Sequence, residues 1–354
     1  MTQTELTQLN LGRSLDSLMN LDPRGYGVSA ILYDESRRLA GGSPAMHAAR
    51  RLLEGLKAGD TVYIITGFVL RPYNKQETDG PLGAAALART LVKVCGVKPV
   101  FVVPGEAVSA MERFGAILDY DGAIVEFTKD ASAASAQAER MVSLAGRKDA
   151  FPSFCIAVEA AGANRLEVYH NALGFDVTPL EAKSDVLFRV LQNEGVPTLA
   201  VGDLGNECGM GTLGDQLRSF IPGAAEGSCA CGCGGGLAAA TAADTVVSAT
   251  VSNWGAWGIA SALAYLARRP DALYDPGLEE KALAAANECG LIDMYGEAVP
   301  AVDGMNLTKL KALITLMNEC VLSALELEEI CRPWFEKTIA LGYFDSPGSL
   351  KAEG

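Results

Sequence analysis

Residues 61–95 read TVYIITGFVLRPYNKQETDGPLGAAALARTLVKVC, in which an apolar run, a polar loop and a helical pattern follow one another. Residues 61–67 are mostly β-branched or aromatic, carry no charge and end in glycine, as buried strands do. Gly80 and Pro81 open an alanine- and leucine-rich stretch, and proline is favoured at the first position of a helix. The segment therefore predicts a buried strand followed by a loop and a helix.

The same succession of strand, loop and helix recurs along the chain. Further strands are predicted at 99–105, 122–127, 154–160, 197–203 and 244–252, and further helices at 43–57, 106–117, 130–146 and 181–194. Strands that alternate with helices in this way form a parallel sheet covered on both faces. We therefore predict an α/β fold with an open, mostly parallel, Rossmann-like sheet of about six strands.

The pattern changes at residue 255, after which the apolar segments have helical periodicity. We predict an N-terminal extension at 1–20, an α/β domain at 21–255, and an all-helical C-terminal region at 256–354 that packs on the same domain. A Cys/Gly-rich segment at 223–240 is expected to be a flexible linker, because glycine adds backbone freedom.

The composition is that of a globular protein with a large core. The 354 residues are 49% hydrophobic and 20% charged, with a net charge of −14 at pH 7. Such an acidic chain disfavours nucleic acid or an anionic membrane as partner, since both attract basic surfaces. No apolar run reaches the about 18 residues of a membrane span, and the N-terminus lacks a signal-peptide pattern. We expect a cytoplasmic protein that binds a small molecule and could form a homo-oligomer.

Polar residues collect after four of the predicted strands. In an open parallel sheet, ligands bind outside the carboxyl ends of the strands. The candidate site residues at these ends are Arg71, Glu77, Thr78 and Asp79 after the first strand; Glu159, Arg165, His170 and Asn171 after 154–160; Gly202, Asp203, Asn206 and Glu207 after 197–203; and Asn253 and Trp254 after 244–252. This clustering predicts an active site at one edge of the sheet.

The loop at 201–211, VGDLGNECGMG, allows three interpretations. A dinucleotide fingerprint begins directly after its strand, whereas GMGTLG at 209–214 does not, so NAD is not expected. A site for a cation or an ammonium group would use Asp203, Asn206 and Glu207 as oxygen ligands. In a tight turn without chemistry, Asp203 would cap the following helix, Asn206 would close an Asx-type turn, and the glycines would only permit positive φ. No lysine lies in a setting that suggests a pyridoxal Schiff base, so PLP is not expected either.

Three of the nine cysteines alternate with single residues in CACGCGGG at 229–236. Zinc sites usually combine C-x2-C spacing with a second ligand pair. No such pair accompanies Cys229, Cys231 and Cys233. The spacing therefore favours a mobile, oxidisable linker over a metal site.

Four segments occur in an order that resembles the D-glutamate cyclase family: ETDGPLGAAALART at 77–90, VYHNALG at 168–174, VGDLGNECGMG at 201–211 and VSNWGAWG at 251–258. The resemblance covers roughly residues 20–340, and its most specific parts are ETDGP and GDLGNECGMG. It implies a lyase that converts D-glutamate to 5-oxo-D-proline with loss of water. The chain departs from the family pattern at Ala160 and Ala161, which replace an Arg-Pro pair, and at Leu204, which replaces a glycine.

Cyclisation requires a base that deprotonates the α-amine and an acid that protonates the leaving oxygen. On the resemblance, we expect Glu207 or Asp203 to be the base and Glu77 or His170 to be the acid. Two carboxylates with different pKa values would suffice. A lone histidine is more often a structural residue, which stays an alternative for His170.

The other candidates would bind the substrate or a metal. The expected substrate-binding residues are Arg71, Thr78, Asp79, Glu159, Arg165, Asn171, Gly202, Asn206, Asn253 and Trp254. Among them, Arg71 or Arg165 would hold the α-carboxylate. A Mg²⁺ or Mn²⁺ ion held by Asp79, Asp203 and Glu207 could replace the acid. The alternatives are a non-catalytic amino-acid or nucleotide sensor, and another lyase or racemase acting on small amino or hydroxy acids.

Overall fold

The computed structural model describes residues 1–145, 151–327 and 330–345. The strands of its main sheet are β1 Thr61–Gly67, β2 Lys98–Val103, β3 Ala123–Glu126, β4 Pro152–Ala160, β5 Thr198–Gly202 and β6 Thr245–Ser248. All neighbouring strands are parallel, in the order β3-β2-β1-β4-β5-β6. The predicted α/β fold with an open parallel sheet is confirmed, and the strand order is that of Rossmann folds.

Helices connect the strands and cover the sheet. They are α1 Gln3–Met19, α2 Val28–Ala40, α3 Pro44–Gly55, α4 Pro81–Cys95, α5 Gly105–Leu118, α6 Ala131–Ala145, α7 Ser184–Asn193, α8 Gly214–Phe220, α9 Ser252–Leu266, α10 Pro276–Glu288, α11 Leu307–Glu326 and α12 Arg332–Ala340. Two short antiparallel hairpins pair Val69–Leu70 with Lys75–Gln76 and Ala301–Val302 with Met305–Asn306. Over the described ranges, no helix is both long and apolar enough to cross a membrane.

The two faces of the sheet bury separate apolar clusters, because successive side chains of a strand point to opposite sides. Ile64 of β1 lies in the larger cluster, together with side chains of α1, α3, α4, α9 and α11. The next residue, Ile65, lies in the smaller cluster against α6 and α7. Both side chains are fully buried. Helices therefore cover both faces, as predicted.

Helix α9 lies within the larger cluster, and its residues 252–265 are all buried. A helix that is apolar on all sides is stable only when other elements surround it, and α9 packs against α1, α3, α4 and α11.

Residues 1–20, expected as an N-terminal extension, hold α1, whose Leu11, Leu15 and Met19 belong to the same cluster. The C-terminal helices α10 and α11 also pack there.

Several element ends differ from the predictions. Strand β6 ends at Ser248, and α9 begins at Ser252, so Asn253 and Trp254 lie in the first turn of a helix. In the predicted linker, Gly227 N donates to Gly234 O at 2.8 Å. Gly146, predicted as the last residue of a helix, lies outside the described residues, as does the stretch 346–354 of the predicted helical region.

The order of the strands creates a crevice between β1 and β4. In chain order, β1 comes first, β2 and β3 then pair on one side of it, and β4, β5 and β6 follow on the other side. The loops that follow β1 and β4 therefore run in opposite directions and leave room for a ligand at the carboxyl ends. Glu77 and Asp79 follow β1, and Glu159 lies at the end of β4.

Candidate active site

A cavity of about 570 Å³ opens at the carboxyl ends of β1, β4 and β5. Five buried carboxylates line it: Glu77, Asp79, Glu159, Asp203 and Asp303. Its volume lies within the range of small-molecule sites. The first four of these acids were predicted from the strand ends, and the structure brings them together.

Asp79 and Asn253 are fixed by hydrogen bonds between the starts of α4 and α9. The Asp79 carboxylate accepts from Ser252 N at 2.9 Å and from Asn253 N at 2.8 Å. The Asn253 Oδ1 accepts from Gly80 N at 2.9 Å and from Gly83 N at 2.7 Å. Each side chain therefore satisfies backbone N–H groups at the start of the other's helix. Gly80 N also donates to Asp79 Oδ1 at 3.0 Å.

Glu159 adopts a backbone conformation that is uncommon for a residue with a side chain. Its φ is 43°, in the left-handed region, at the end of β4. Ser252 Oγ donates to its Oε2 at 2.6 Å. Gly80 lies so close that a Cβ there would be 2.8 Å from the Glu159 Cβ. The loop before α4 thus requires glycine where it approaches the strand end.

Glu207 fixes the conformation of its own loop. Its carboxylate accepts from Leu204 N at 2.9 Å and from Gly205 N at 2.7 Å. Gly205 has a φ of 95°, which favours glycine. Glu207 therefore stabilises the turn, a role that the sequence analysis did not assign to it. One of its oxygens also lies within 4.8 Å of ligand atoms of Glu159 and Asp203.

Arg24 brings a positive charge to the cavity from the segment between α1 and α2. Its Nη1 lies 3.0 Å from Asp303 Oδ2, and its Nη2 donates to Thr250 O at 2.6 Å. Among the residues lining the cavity in the described ranges, Arg24 is the one basic side chain. The cavity therefore holds five carboxyl groups and one guanidinium.

Burial and mutual repulsion raise the pKa values of these acids. Burial, followed by the charge of Asp303, raises the pKa of Asp79 to about 8. Burial likewise raises the pKa values of Glu77, Glu159 and Asp203 well above their ordinary ranges, and neighbouring carboxylates add to the effect. Carboxylic acids with such pKa values can donate protons near neutral pH.

The acids form two groups whose oxygens could hold a metal ion. One group is Asp79, Asp203 and Asp303, and the other is Glu159, Asp203 and Glu207. In each group, one oxygen per residue lies within 4.8 Å of the others. The predicted metal ligands Asp79, Asp203 and Glu207 are thus divided between two groups that share Asp203. Hard carboxylate oxygens suit Mg²⁺ and Mn²⁺.

Asn206 offers an unused acceptor at the cavity. Its Nδ2 donates to the backbone oxygen of His170 at 2.9 Å. Its Oδ1 is buried and has no hydrogen-bond partner among the described residues. A buried polar atom without a partner costs free energy, and this one belongs to a residue that lines the cavity.

Four other predicted binding residues have structural contacts of their own. Thr78 Oγ1 donates to Ala301 O at 2.9 Å. Asn171 lines the cavity, and its Oδ1 accepts from Leu173 N at 3.1 Å. Trp254 is buried in the larger core cluster. Gly202 ends β5, where a Cβ would lie 2.7 Å from Met210 Cγ.

The remaining three predicted residues do not line the cavity, and neither do Thr78, Gly202, Glu207, Asn253 and Trp254. Arg71 is exposed, with its guanidinium 5.3 Å from the centre of the Phe175 ring. Arg165 is exposed and pairs with Glu226 at 3.1 Å. The His170 ring lies against cysteines, with Nε2 3.1 Å from Cys231 Sγ.

Sequence reasoning missed Arg24 and Asp303, because neither follows a strand of the main sheet. Asp303 precedes Gly304 in the turn of a two-residue hairpin, where both residues have positive φ. An Asp-Gly pair is a known hairpin signal and could have marked this turn. Nothing in the sequence around Arg24 indicates that it reaches Asp303.

The strand order and the buried carboxylates define a doubly wound α/β protein with an acidic cavity at its topological switch point. The family described as "D-glutamate cyclase-like, C-terminal" matches residues 15–318. The chain therefore belongs to the D-glutamate cyclase-like family, as the motifs predicted.

One relative is the human protein named "D-glutamate cyclase, mitochondrial". It is 27% identical over 268 residues, which are 71% of this chain and 38% of the human protein. The chain thus spans well under half the length of that relative.

Proposed function

We propose that this protein is a D-glutamate cyclase-like lyase that converts D-glutamate to 5-oxo-D-proline and water. The observation that carries the proposal is the group of buried carboxyl groups with raised pKa values around one cavity. Family membership supports the reaction class. The substrate is inferred from the name of the human relative.

The reaction suits a site made of carboxylic acids and carboxylates. The substrate nitrogen forms a bond to the γ-carbon, and one γ-oxygen leaves. The ammonium group loses two protons, and the leaving oxygen takes up two protons to become water. Because the net reaction neither releases nor consumes a proton, the site needs groups that accept and donate protons in turn.

Asp203 and Glu77 are the residues we assign to these proton transfers. Asp203 lies beside Glu159, and the substrate ammonium would favour the ionised form of both groups. Asp203 then accepts a proton from the amine. Glu77 is held neutral by burial and by neighbouring carboxylates, so it donates a proton to the leaving γ-oxygen. Glu207 maintains the loop that carries Asp203.

Arg24 and Asn206 are the residues we assign to substrate orientation. Arg24 is the cavity's basic side chain in the described ranges and would attract the substrate α-carboxylate. The free Oδ1 of Asn206 would accept a hydrogen bond from the amine. Together they would place the nitrogen next to the γ-carbon, and such positioning accelerates cyclisation.

A divalent metal ion is a second means of activating the γ-carboxyl. Asp79, Asp203 and Asp303 would hold it, and it would polarise the carboxyl group as a Lewis acid. Metal binding to protonated acids releases protons, so this form of the site would work better as the pH rises.

Proton NMR of the purified protein with D-glutamate, L-glutamate or 5-oxo-D-proline tests the proposal. We expect 5-oxoproline signals from the D-isomer and not from the L-isomer. Parallel samples with Mg²⁺, with Mn²⁺ and with a chelator separate the metal-assisted reaction from the metal-free one. If no sample shows conversion, the lyase proposal is wrong. Line broadening of one ligand without conversion would then indicate a non-catalytic sensor.

A cytoplasmic location is part of the proposal, whereas the human relative's name places that protein in mitochondria.

A further inference from the structure

Four potential metal ligands meet outside the carboxylate cavity. The His170 Nε2 lies 3.1 Å from Cys231 Sγ and 3.5 Å from Cys233 Sγ. Cys229 Sγ lies 3.6 Å from Cys231 Sγ and 3.5 Å from Cys233 Sγ. All four ligand atoms lie within 4.8 Å of one another. His170 supplies the partner that the C-x-C-x-C spacing lacked.

Three of these four distances match a single tetrahedral ion, and the His170–Cys231 distance of 3.1 Å is shorter. Zinc–sulfur bonds of about 2.3 Å and a zinc–nitrogen bond of about 2.0 Å place the ligand atoms of a tetrahedron about 3.5–3.8 Å apart. The three thiols are free. Their separations of 3.5 and 3.6 Å are far longer than a disulfide bond of about 2.0 Å. Three thiolates and one imidazole are a known ligand set for structural zinc.

The surrounding backbone is arranged as it is around metal-bound thiolates, because N–H groups point at the sulfur atoms. Cys233 N donates to Cys231 Sγ at 3.4 Å, and Gly235 N donates to Cys233 Sγ at 3.4 Å. Asn164 Nδ2 also donates to Cys233 Sγ at 3.4 Å. Hydrogen bonds of this kind stabilise negative charge on sulfur and orient the ligands.

Glycines allow the turn that brings the cysteines together. Gly232, Gly234 and Gly236 all have positive φ, between 72° and 89°. Side chains are strained in this region, so glycine is required to fold the three thiols towards one point. These glycines therefore shape a specific turn, whereas the sequence analysis expected them to make a linker flexible.

We propose that His170, Cys229, Cys231 and Cys233 bind one structural Zn²⁺ ion. The ion would join the turn at 229–236 to the loop that contains His170. With four protein ligands the coordination is complete, and no position remains open for a substrate. The site is distinct from the carboxylate cavity and does not depend on the proposed reaction.

The zinc site would also support the wall of the cavity. Asn206 of the acidic loop donates to the backbone oxygen of His170 at 2.9 Å, and Asn171 and Leu173 line the cavity directly after it. Loss of the ion would therefore loosen that wall. If the protein has the proposed activity, we expect the KM for glutamate to rise more than kcat falls.

The metal content of protein purified under reducing conditions tests the proposal. We expect about one zinc ion per chain in the wild type. Cys231→Ala and Cys233→Ala should lose it, whereas Cys320→Ala, at a half-buried cysteine outside the cluster, should retain it. His170→Cys should retain the ion with four thiolates, and His170→Ala should bind it at least 10-fold more weakly.

Reconstitution with Co²⁺ gives an independent readout that does not require the variants to fold. A thiolate-bound tetrahedral Co²⁺ should give visible absorption bands and a sulfur-to-cobalt charge-transfer band in the wild type. Reduced wild-type protein that binds neither Zn²⁺ nor Co²⁺ would overturn the proposal. Mass spectrometry that finds a disulfide among the three cysteines after reduction and metal supply would overturn it as well.

Discussion

Asp79 and Asn253 cap each other's helix: the Asp79 carboxylate accepts from two N–H groups at the start of α9, and the Asn253 carbonyl accepts from two at the start of α4. Both side chains are buried. The pair joins two helix N-termini at the edge of the cavity, where their dipoles favour negative charge. The acidic site is therefore built into the packing of the core helices.

Asn253→Ala should destabilise the protein, because Gly83 N and Thr78 O lose their bonds to the buried Asn253 side chain, whereas Gly80 N keeps its bond to the Asp79 carboxylate. Each unsatisfied group costs about 1–3 kcal/mol, so we expect the free energy of unfolding to fall by about 2–5 kcal/mol. Denaturant titration measures the change. Asn318→Ala is the matched control, since Asn318 makes one bond to Tyr274 O. If the free energy of unfolding fell equally in both variants, the reciprocal caps would not be a major source of stability.

Glu77→Gln should reduce turnover, because glutamine cannot donate the proton that the leaving oxygen needs. A positioned general acid contributes about 10²- to 10⁴-fold, and we expect a loss of this size in kcat. Glu226→Gln, at an exposed glutamate paired with Arg165, is the control and should keep wild-type turnover. A Glu77→Gln enzyme with unchanged kcat would exclude the assignment of Glu77 as the acid.

Arg24→Met should raise the KM for glutamate, because it removes the charge assigned to the α-carboxylate. A hydrogen bond to a charged group is worth about 1.5–3 kcal/mol, which corresponds to about a 10- to 100-fold change. Arg71→Met removes an exposed guanidinium that does not line the cavity, so its KM should stay near the wild-type value. A higher KM in Arg71→Met than in Arg24→Met would favour Arg71 as the partner of the α-carboxylate.

Asp16→Asn should stabilise the protein at alkaline pH. Burial raises the pKa of Asp16 to about 7, above its ordinary value in the unfolded chain. As the pH rises from about 4 to 7, the unfolded state loses the proton first, so the free energy of unfolding falls. The asparagine variant avoids this loss, and we expect it to be about 2–4 kcal/mol more stable at pH 8.

Denaturant titrations at several pH values measure this difference, which should shrink as the pH falls towards 5. Asp215→Asn is the control, because the Asp215 side chain is 97% exposed and its ion pair with Arg218 contributes little. A pH dependence that is the same in the wild type and in Asp16→Asn would show that Asp16 is not the group responsible.

The sheet could be predicted because strands such as β1, β5 and β6 are buried throughout and carry a local signal. TVYIITG carries no charge, is rich in β-branched residues and ends in glycine, and β1 has these bounds. The position of Glu77, Asp79, Glu159 and Asp203 then follows from the rule for the carboxyl ends of parallel strands. These two steps require only local patterns and one topological rule.

The partners of these acids depend on long-range contacts that no local pattern encodes. Arg24 and Asp303 are 279 residues apart in the chain, and Cys231 is 61 residues from His170. The sequence predicts a strand at 244–252 with Asn253 and Trp254 directly after it, whereas Ser252 and Asn253 begin α9. Tertiary packing and the caps from Asp79 determine that helix start.

The rate of 5-oxo-D-proline formation from D-glutamate, measured for the wild type, Asp203→Asn and Asp215→Asn, tests the central claim most directly. If the buried carboxylates perform the cyclisation, the wild type and Asp215→Asn should have equal rates. Asp203→Asn should be slower by about 10²-fold or more, because it cannot accept the amine proton. Wild-type turnover in a correctly folded Asp203→Asn protein would contradict the account.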